Sequence, residues 1–143
     1  MKLFTIGFTK TSAQNFFERL KNAKVRRIID VRKNNISQLA GFAKEKDLKY
    51  FSKEIGNIDY FHNLELAPTK ELIDGYRKKE IDWKEYESVF NALLKERKVE
   101  DLDPKLFKNA CLLCSEDVPH QCHRRLVAEY LKKFWKNLEI IHL

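Results

Sequence analysis

Residues 110–125 read ACLLCSEDVPHQCHRR, and this stretch predicts a strand, a polar loop and the beginning of a helix. The apolar run at 110–114 has the length and composition of a buried strand. Residues 122–125 (CHRR) begin an amphipathic pattern that continues to Lys136. All three cysteines and two of the four histidines of the chain lie within this stretch. We therefore expect the functional site here.

The same alternation of apolar runs and helical patterns extends over the whole chain. Strands are predicted at 2–7, 27–31, 58–62, 110–114 and 138–141. Helices are predicted at 12–23, 44–55, 68–78, 82–97 and 122–136. This alternation favours an α/β fold: a single layered domain over residues 1–143, with a mainly parallel central sheet of about five strands flanked by helices.

Length and composition are typical of a globular protein of one domain. A chain of 143 residues buries a core without help from disulfides or metals. No apolar run approaches the roughly 20 residues that cross a bilayer, so no membrane partner is predicted. Three cysteines, an odd number with two close together, are not typical of a secreted disulfide framework. We therefore expect a cytoplasmic protein.

The chain is basic, because 28 Lys and Arg residues oppose 21 Asp and Glu residues and give a net charge of +7. This excess favours an anionic partner, either a small molecule or nucleic acid. The basic residues are spread along the chain without a block of five or six, which equally describes a solvated surface. Nothing in the sequence sets the oligomeric state.

Polar residues follow the ends of the predicted strands. Gly7 ends the first strand, Asp30 and Arg32 lie at the end of the second and just after it, and Cys114 and Glu116 lie at the end of the fourth and just after it. Ligands of open parallel sheets bind beyond the carboxyl ends of the strands, so we expect these residues to converge. Gly7 permits close approach of another backbone segment. Asp30 and Arg32 either form a structural ion pair or contact an anion directly.

Cys122 is predicted to lie in the first turn of the last helix. Helix N–H groups and the neighbouring Arg124 and Arg125 would lower the pKa of its thiol, and His123 adds a proton acceptor. The same geometry binds a phosphate without covalent chemistry. Anion binding is the preferred interpretation, because it requires the arginine and does not require a thiolate.

The cysteines permit further interpretations. Cys111 and Cys114, together with Cys122 and His123, offer four soft metal ligands. Side chains three apart on a strand point to opposite faces, however, so no metal and no other cofactor is predicted. The sequence leaves open a disulfide or redox pair between Cys114 and Cys122.

A strand that ends in cysteine before a helix is similar to the arrangement in rhodanese-like domains and cysteine-dependent phosphatases. Their loops place an arginine about six residues after the cysteine, where this chain has His120. The loop here also carries Glu116, Asp117 and Pro119 in place of glycines, and two acids repel an anion. We therefore do not predict that catalytic mechanism.

The order of motifs along the whole chain resembles the DUF488 family. The matching elements are Thr5-Ile-Gly7, Asp30-Val-Arg32, Leu112-Leu-Cys114-Ser-Glu116, Cys122-His-Arg124 and Ile140-Ile-His-Leu143. Ser37 and Phe42 also fit, whereas residues 34–36 and 66–69 depart from the family pattern. The resemblance implies a compact α/β domain with a common site built from Asp30, Arg32, Cys114, Glu116, Cys122, His123 and Arg124. It implies no reaction, because the family is named for having no assigned function.

Three hypotheses about function follow. The first is binding of a phosphorylated or nucleotide-like anion at the strand ends, with or without catalysis. The second is a nucleic-acid-binding module that uses the basic surface. The third is that residues 122–124 only tie the last helix to the sheet. For the first, the candidate catalytic residues are Cys122, Glu116 and Asp30, and the candidate ligand-binding residues are Gly7, Arg32, Cys114, His123 and Arg124.

Overall fold

The computed structural model describes residues 1–36, 40–116 and 121–143. Its strands are β1 (Lys2–Gly7), β2 (Arg27–Asp30), β3 (Asp59–His62), β4 (Ala110–Cys114) and β5 (Glu139–His142). Its α-helices are α1 (Ala13–Asn22), α2 (Glu45–Gly56), α3 (Lys70–Arg77), α4 (Trp83–Glu96) and α5 (His123–Phe134). The predicted α/β class is confirmed.

The five strands form one sheet in the order β3-β2-β4-β1-β5, and every pairing between them is parallel. The chain leaves β1 towards the β3 edge through α1, and it leaves β4 towards the β5 edge through α5. The two connections therefore diverge from adjacent strands and cover opposite faces. In such a sheet the expected ligand position lies beyond the carboxyl ends of the two strands from which the connections diverge. Gly7 and Cys114 are paired in register at this point.

A hydrophobic core lies on each face of the sheet, because side chains alternate along each buried strand. One core packs the face that carries Leu112 and Cys114 against α3, α4 and α5. The other packs the face that carries Cys111 and Leu113 against α1 and α2. The helices thus hold both sides of β4, the central strand, which is fully buried.

Side-chain caps define where several helices begin. The side chains of Ser12, Thr69 and Asp82 accept hydrogen bonds from backbone N–H groups in the first turns of α1, α3 and α4. The helix predicted from residue 68 begins at Lys70, because Thr69 caps it and Pro68 precedes the cap. The buried face of α5 ends before its last turn, where Phe134 is half exposed.

The remaining sequence predictions concern the membrane and two loops. Among the described residues, none of the helices has both the length and the apolar character needed to cross a bilayer. The predictions that rest on Ser37, Asp117, Pro119 and His120 fall outside the described residues.

Candidate functional site at the carboxyl edge of the sheet

The centre of the carboxyl edge is a backbone contact between Gly7 and Glu116. An ideal Cβ atom on Gly7 would lie 1.4 Å from the Glu116 carbonyl oxygen, so only glycine fits. The same oxygen accepts a hydrogen bond of 2.5 Å from Nη1 of Arg124. The carbonyl of Ser115 accepts from the N–H groups of Phe8 and Thr9. The segment after β4 is therefore held against the end of β1.

Asp30 and Arg32 form a buried ion pair at the carboxyl end of β2. The guanidinium donates from Nε to Oδ1 of Asp30 at 2.8 Å and from Nη2 to Oδ2 at 2.7 Å. Tyr60 donates its hydroxyl to Oδ2 at 2.5 Å, and burial together with the Asp30 charge raises the pKa of that phenol. Asp30 is fully buried and Arg32 is 6% exposed. The carboxylate is thus saturated by its neighbours, which holds the loop after β2 in place.

One donor of the Arg32 guanidinium has no acceptor in the part of the chain that the structure describes. Its Nη2 also donates to the Ala43 carbonyl, and its Cζ atom lies 5.0 Å from the centre of the Phe8 ring. Its Nη1 atom is buried and has no hydrogen-bond acceptor among the described residues. A buried N–H group without an acceptor is costly.

Arg19 brings a second guanidinium to the end of β1. Its Nη2 atom lies 3.5 Å from the carbonyl oxygen of Gly7, and its buried Nε atom likewise finds no acceptor in the described part of the chain. With Arg32 and Arg124, three arginines surround the Gly7–Phe8 segment. Asp30 is the carboxylate that pairs with one of them.

Cys114 and Cys122 form a disulfide that joins the end of β4 to the residue that caps α5. Both side chains are buried. Nη1 of Arg124 lies 3.3 Å from the Cys114 sulfur. Cys111 is a separate thiol on the opposite face of β4, where burial raises its pKa. Of the arrangements that the sequence leaves open, the structure therefore contains the Cys114–Cys122 disulfide.

His123, the first residue of α5, connects this helix to β2. Its Nε2 atom lies 2.6 Å from the carbonyl oxygen of Val31, and its ring packs edge-on against Phe90. Burial lowers the pKa of His123 to about 4, and the neighbouring Arg124 lowers it further while the Val31 carbonyl opposes the shift. The imidazole is consequently neutral at pH 7, and its Nε2–H group donates a hydrogen bond to the Val31 carbonyl oxygen.

Comparison with protein families matches residues 12–131 to the domain of unknown function DUF488. The chain belongs to the DUF488 family. No curated protein and no solved structure matches the chain. The family match covers most of the chain and confirms the resemblance that its motifs indicate, but it assigns no activity to the DUF488 domain.

The family-like motifs of this DUF488 domain meet in space although they are far apart in sequence. Thr5 of the first motif and His142 of the last are joined by a hydrogen bond of 2.6 Å between Oγ1 and Nδ1. The second motif supplies the Asp30–Arg32 pair. His123, from the fourth motif, contacts the carbonyl of Val31 between them. The motifs thus bind the strands to one another at their carboxyl ends.

The structure places the eight predicted site residues of the DUF488 domain at this one edge. Cys114, Cys122 and Arg124 form one cluster with Gly7. Glu116 contributes its backbone carbonyl, while its carboxylate-bearing side chain is exposed. The catalytic roles predicted for Cys122, Glu116 and Asp30 stay predictions.

Sequence reasoning missed Arg19 and Tyr60. Tyr60 lies in the third predicted strand, and the alternation of that strand could have placed it on the same face as Asp30. Arg19 lies at the border of the apolar stripe of α1, where an arginine is unremarkable in sequence. Only the packing of α1 against the sheet brings Arg19 to Gly7.

Proposed function

We propose that this DUF488 domain binds a small anionic ligand, phosphorylated or nucleotide-like, at the carboxyl edge between β1 and β4. The observation that carries the proposal is the buried Nη1 atom of Arg32, which has no acceptor among the described residues. Phosphate oxygens are the acceptors that arginine binds best, because its planar fork matches their geometry.

The positive charge of the described site residues supports an anion. The guanidinium groups of Arg19, Arg32 and Arg124 lie at this edge, and the Asp30 carboxylate pairs with Arg32. His123 adds no charge at pH 7. A phosphate bound beside these guanidinium groups would be stabilised by their charge.

The N-terminus of α5 also favours a negatively charged ligand. Helix N-termini carry partial positive charge and unpaired N–H groups. Cys122 occupies the capping position of α5, and its side chain makes no capping hydrogen bond. The partial charge of the helix therefore adds to that of the arginines beside the disulfide.

We propose that the protein binds this ligand in the cytoplasm. If the domain also catalyses a reaction, Asp30, Glu116 and Cys122 are the residues we propose for it. Asp30 is buried and ion-paired, so a proton-transfer role would require the ligand to displace Arg32 from it.

A second candidate function, binding of nucleic acid, is favoured by one surface of α2. Lys46, Lys49, Tyr50 and Lys53 recur at helical spacing and are all exposed. Tyr50 is 62% exposed. An exposed aromatic ring among lysines is typical of proteins that stack on bases while neutralising phosphates.

Thermal-shift and calorimetric titrations with inorganic phosphate, nucleotides, phosphosugars and a short oligonucleotide test both candidates. We expect a small phosphorylated compound to stabilise the native chain. Arg19→Gln should weaken the affinity of the protein for this compound about tenfold, which corresponds to about 1.4 kcal/mol of binding free energy.

Arg27→Gln is the matched control, because it removes the same charge at the opposite, amino edge of the sheet, where Arg27 contacts the Leu106 carbonyl. It should leave the affinity unchanged. Equal loss in both variants, or stabilisation by none of the small compounds, would contradict the proposal. Oligonucleotide binding that falls steeply with salt and is weakened by Lys49→Gln would instead support the nucleic-acid function.

A further inference from the structure

We infer that the reduced form of this protein binds a thiophilic divalent cation such as Zn²⁺ through Cys114, Cys122 and His123. The sequence pattern alone predicts no metal, because it pairs Cys111 with Cys114. The fold removes Cys111 from the set and brings the other three residues together. The ligand atoms of these three lie within 4.8 Å of one another.

The spacing suits a tetrahedral ion. Bonds of about 2.3 Å to sulfur and about 2.0 Å to nitrogen hold the ligand atoms of such a site about 3.5–3.8 Å apart. Small side-chain rotations reach this geometry once the two sulfurs are separate thiolates. Each ligand also stands on regular structure, with Cys114 at the end of β4 and Cys122 and His123 at the start of α5.

Groups around the three ligands match those that usually support a metal site. Nε2 of His123 meets the Val31 carbonyl, and a proton on Nε2 leaves the lone pair on Nδ1 for a metal. Imidazole ligands in proteins are commonly oriented by such a bond to a carbonyl. Nη1 of Arg124 reaches the Cys114 sulfur, where a cation favours the thiolate.

The chemistry balances in two steps. A dithiol reductant donates two electrons and two protons to the Cys114–Cys122 disulfide, which becomes two thiols while the dithiol becomes a disulfide. The cation then binds both sulfurs and one imidazole nitrogen and releases the two thiol protons. Three protein ligands leave one tetrahedral position for water or another small ligand. Disulfide and metal are thus alternative occupants of one site.

This inference does not rest on the anion-binding proposal, and its test uses no anion. The full-length chain is reduced without oxygen by a phosphine, which binds zinc weakly, and is titrated with Co²⁺. We expect one ion per chain, with the intense visible bands of tetrahedral cobalt and a near-ultraviolet thiolate charge-transfer band. Zn²⁺ should then displace the cobalt and abolish both signals.

Matched variants locate the ligands. Cys111→Ser should bind cobalt like the natural chain, whereas Cys122→Ser and His123→Gln should weaken binding by at least about a hundredfold. Serine is a favoured helix cap, so Cys122→Ser retains a means of beginning α5. Circular dichroism checks that each variant is folded. Octahedral cobalt spectra, or equal loss in Cys111→Ser and Cys122→Ser, would overturn the inference.

Discussion

The Glu116 carbonyl oxygen occupies the space where a side chain on Gly7 would begin. A Cβ atom at residue 7 would lie 1.4 Å from that oxygen and 3.0 Å from Nη1 of Arg124. Because the oxygen is itself held by Arg124, neither neighbour can move without breaking this part-buried hydrogen bond. The contact fixes the segment after β4 against β1, and the carboxyl edge is built around it.

Gly7→Ala should therefore destabilise the protein by about 3 kcal/mol, as overpacking a rigid buried contact does. Gly41→Ala is the control, because a Cβ atom there meets nothing within 4 Å. Urea unfolding of the two variants measures the difference. A Gly7→Ala protein as stable as Gly41→Ala would show that the edge is not packed as described.

The Asp30–Arg32 pair predicts a second contrast. Asp30→Asn leaves the buried Arg32 cation without its carboxylate, and loss of one partner of a buried pair costs about 3–5 kcal/mol. Asp59→Asn breaks an exposed pair with Lys53 and should cost less than about 1 kcal/mol. Urea unfolding again reports both values. Similar losses in the two variants would contradict the structural role assigned to Asp30.

His123 predicts how stability depends on pH. Its pKa is about 4 in the folded chain and 6.5 as a free side chain, so the unfolded state binds the proton more readily between these values. Above pH 6.5 His123 is neutral in both the folded and the unfolded chain and does not affect the free energy of unfolding. As the pH is lowered towards 4, the unfolded chain takes up the proton first, so the free energy of unfolding falls.

Between pH 7.5 and pH 5 the contribution of His123 should amount to about 2 kcal/mol. Urea unfolding in a metal chelator, without reductant, measures it as the difference between the natural chain and His123→Gln. The variant should lose less stability over this range. Identical pH profiles would show that folding does not lower the pKa of His123.

The disulfide stabilises the folded protein because it restricts the conformations of the unfolded chain. Cys114 and Cys122 are eight residues apart, and closing a loop of that length stabilises the folded state by about 2.5 kcal/mol in the chain-entropy model. Reduction in the presence of a chelator should lower the free energy of unfolding by this amount. Cys111→Ser should show the same drop, and Cys122→Ser should show none. If reduction also lowered the free energy of unfolding of Cys122→Ser, the loss would not come from the Cys114–Cys122 disulfide.

The sequence predicted the fold more completely than the site. Strand β4 was predicted with its observed bounds, because an apolar run ends sharply where polar residues begin. The need for glycine at residue 7 was also predictable, but its partner was not, since the Glu116 carbonyl reaches it only through the parallel pairing of β1 and β4. Arg19 was unpredictable because only the packing of α1 against the sheet brings it to Gly7. The local sequence pattern determines where strands and helices form, whereas the order of strands in the sheet determines which loops come into contact.

The most direct test of an anion site at the carboxyl edge is a titration of the isotope-labelled chain with inorganic phosphate, followed by amide nuclear magnetic resonance. We predict shifts that saturate together and cluster at Gly7, Phe8, Arg32 and the beginning of α5. Amides at the amino edge, such as those of Arg26 and Asn109, should stay unchanged. Saturable shifts at the amino edge, or small linear shifts spread over the surface lysines, would contradict the account.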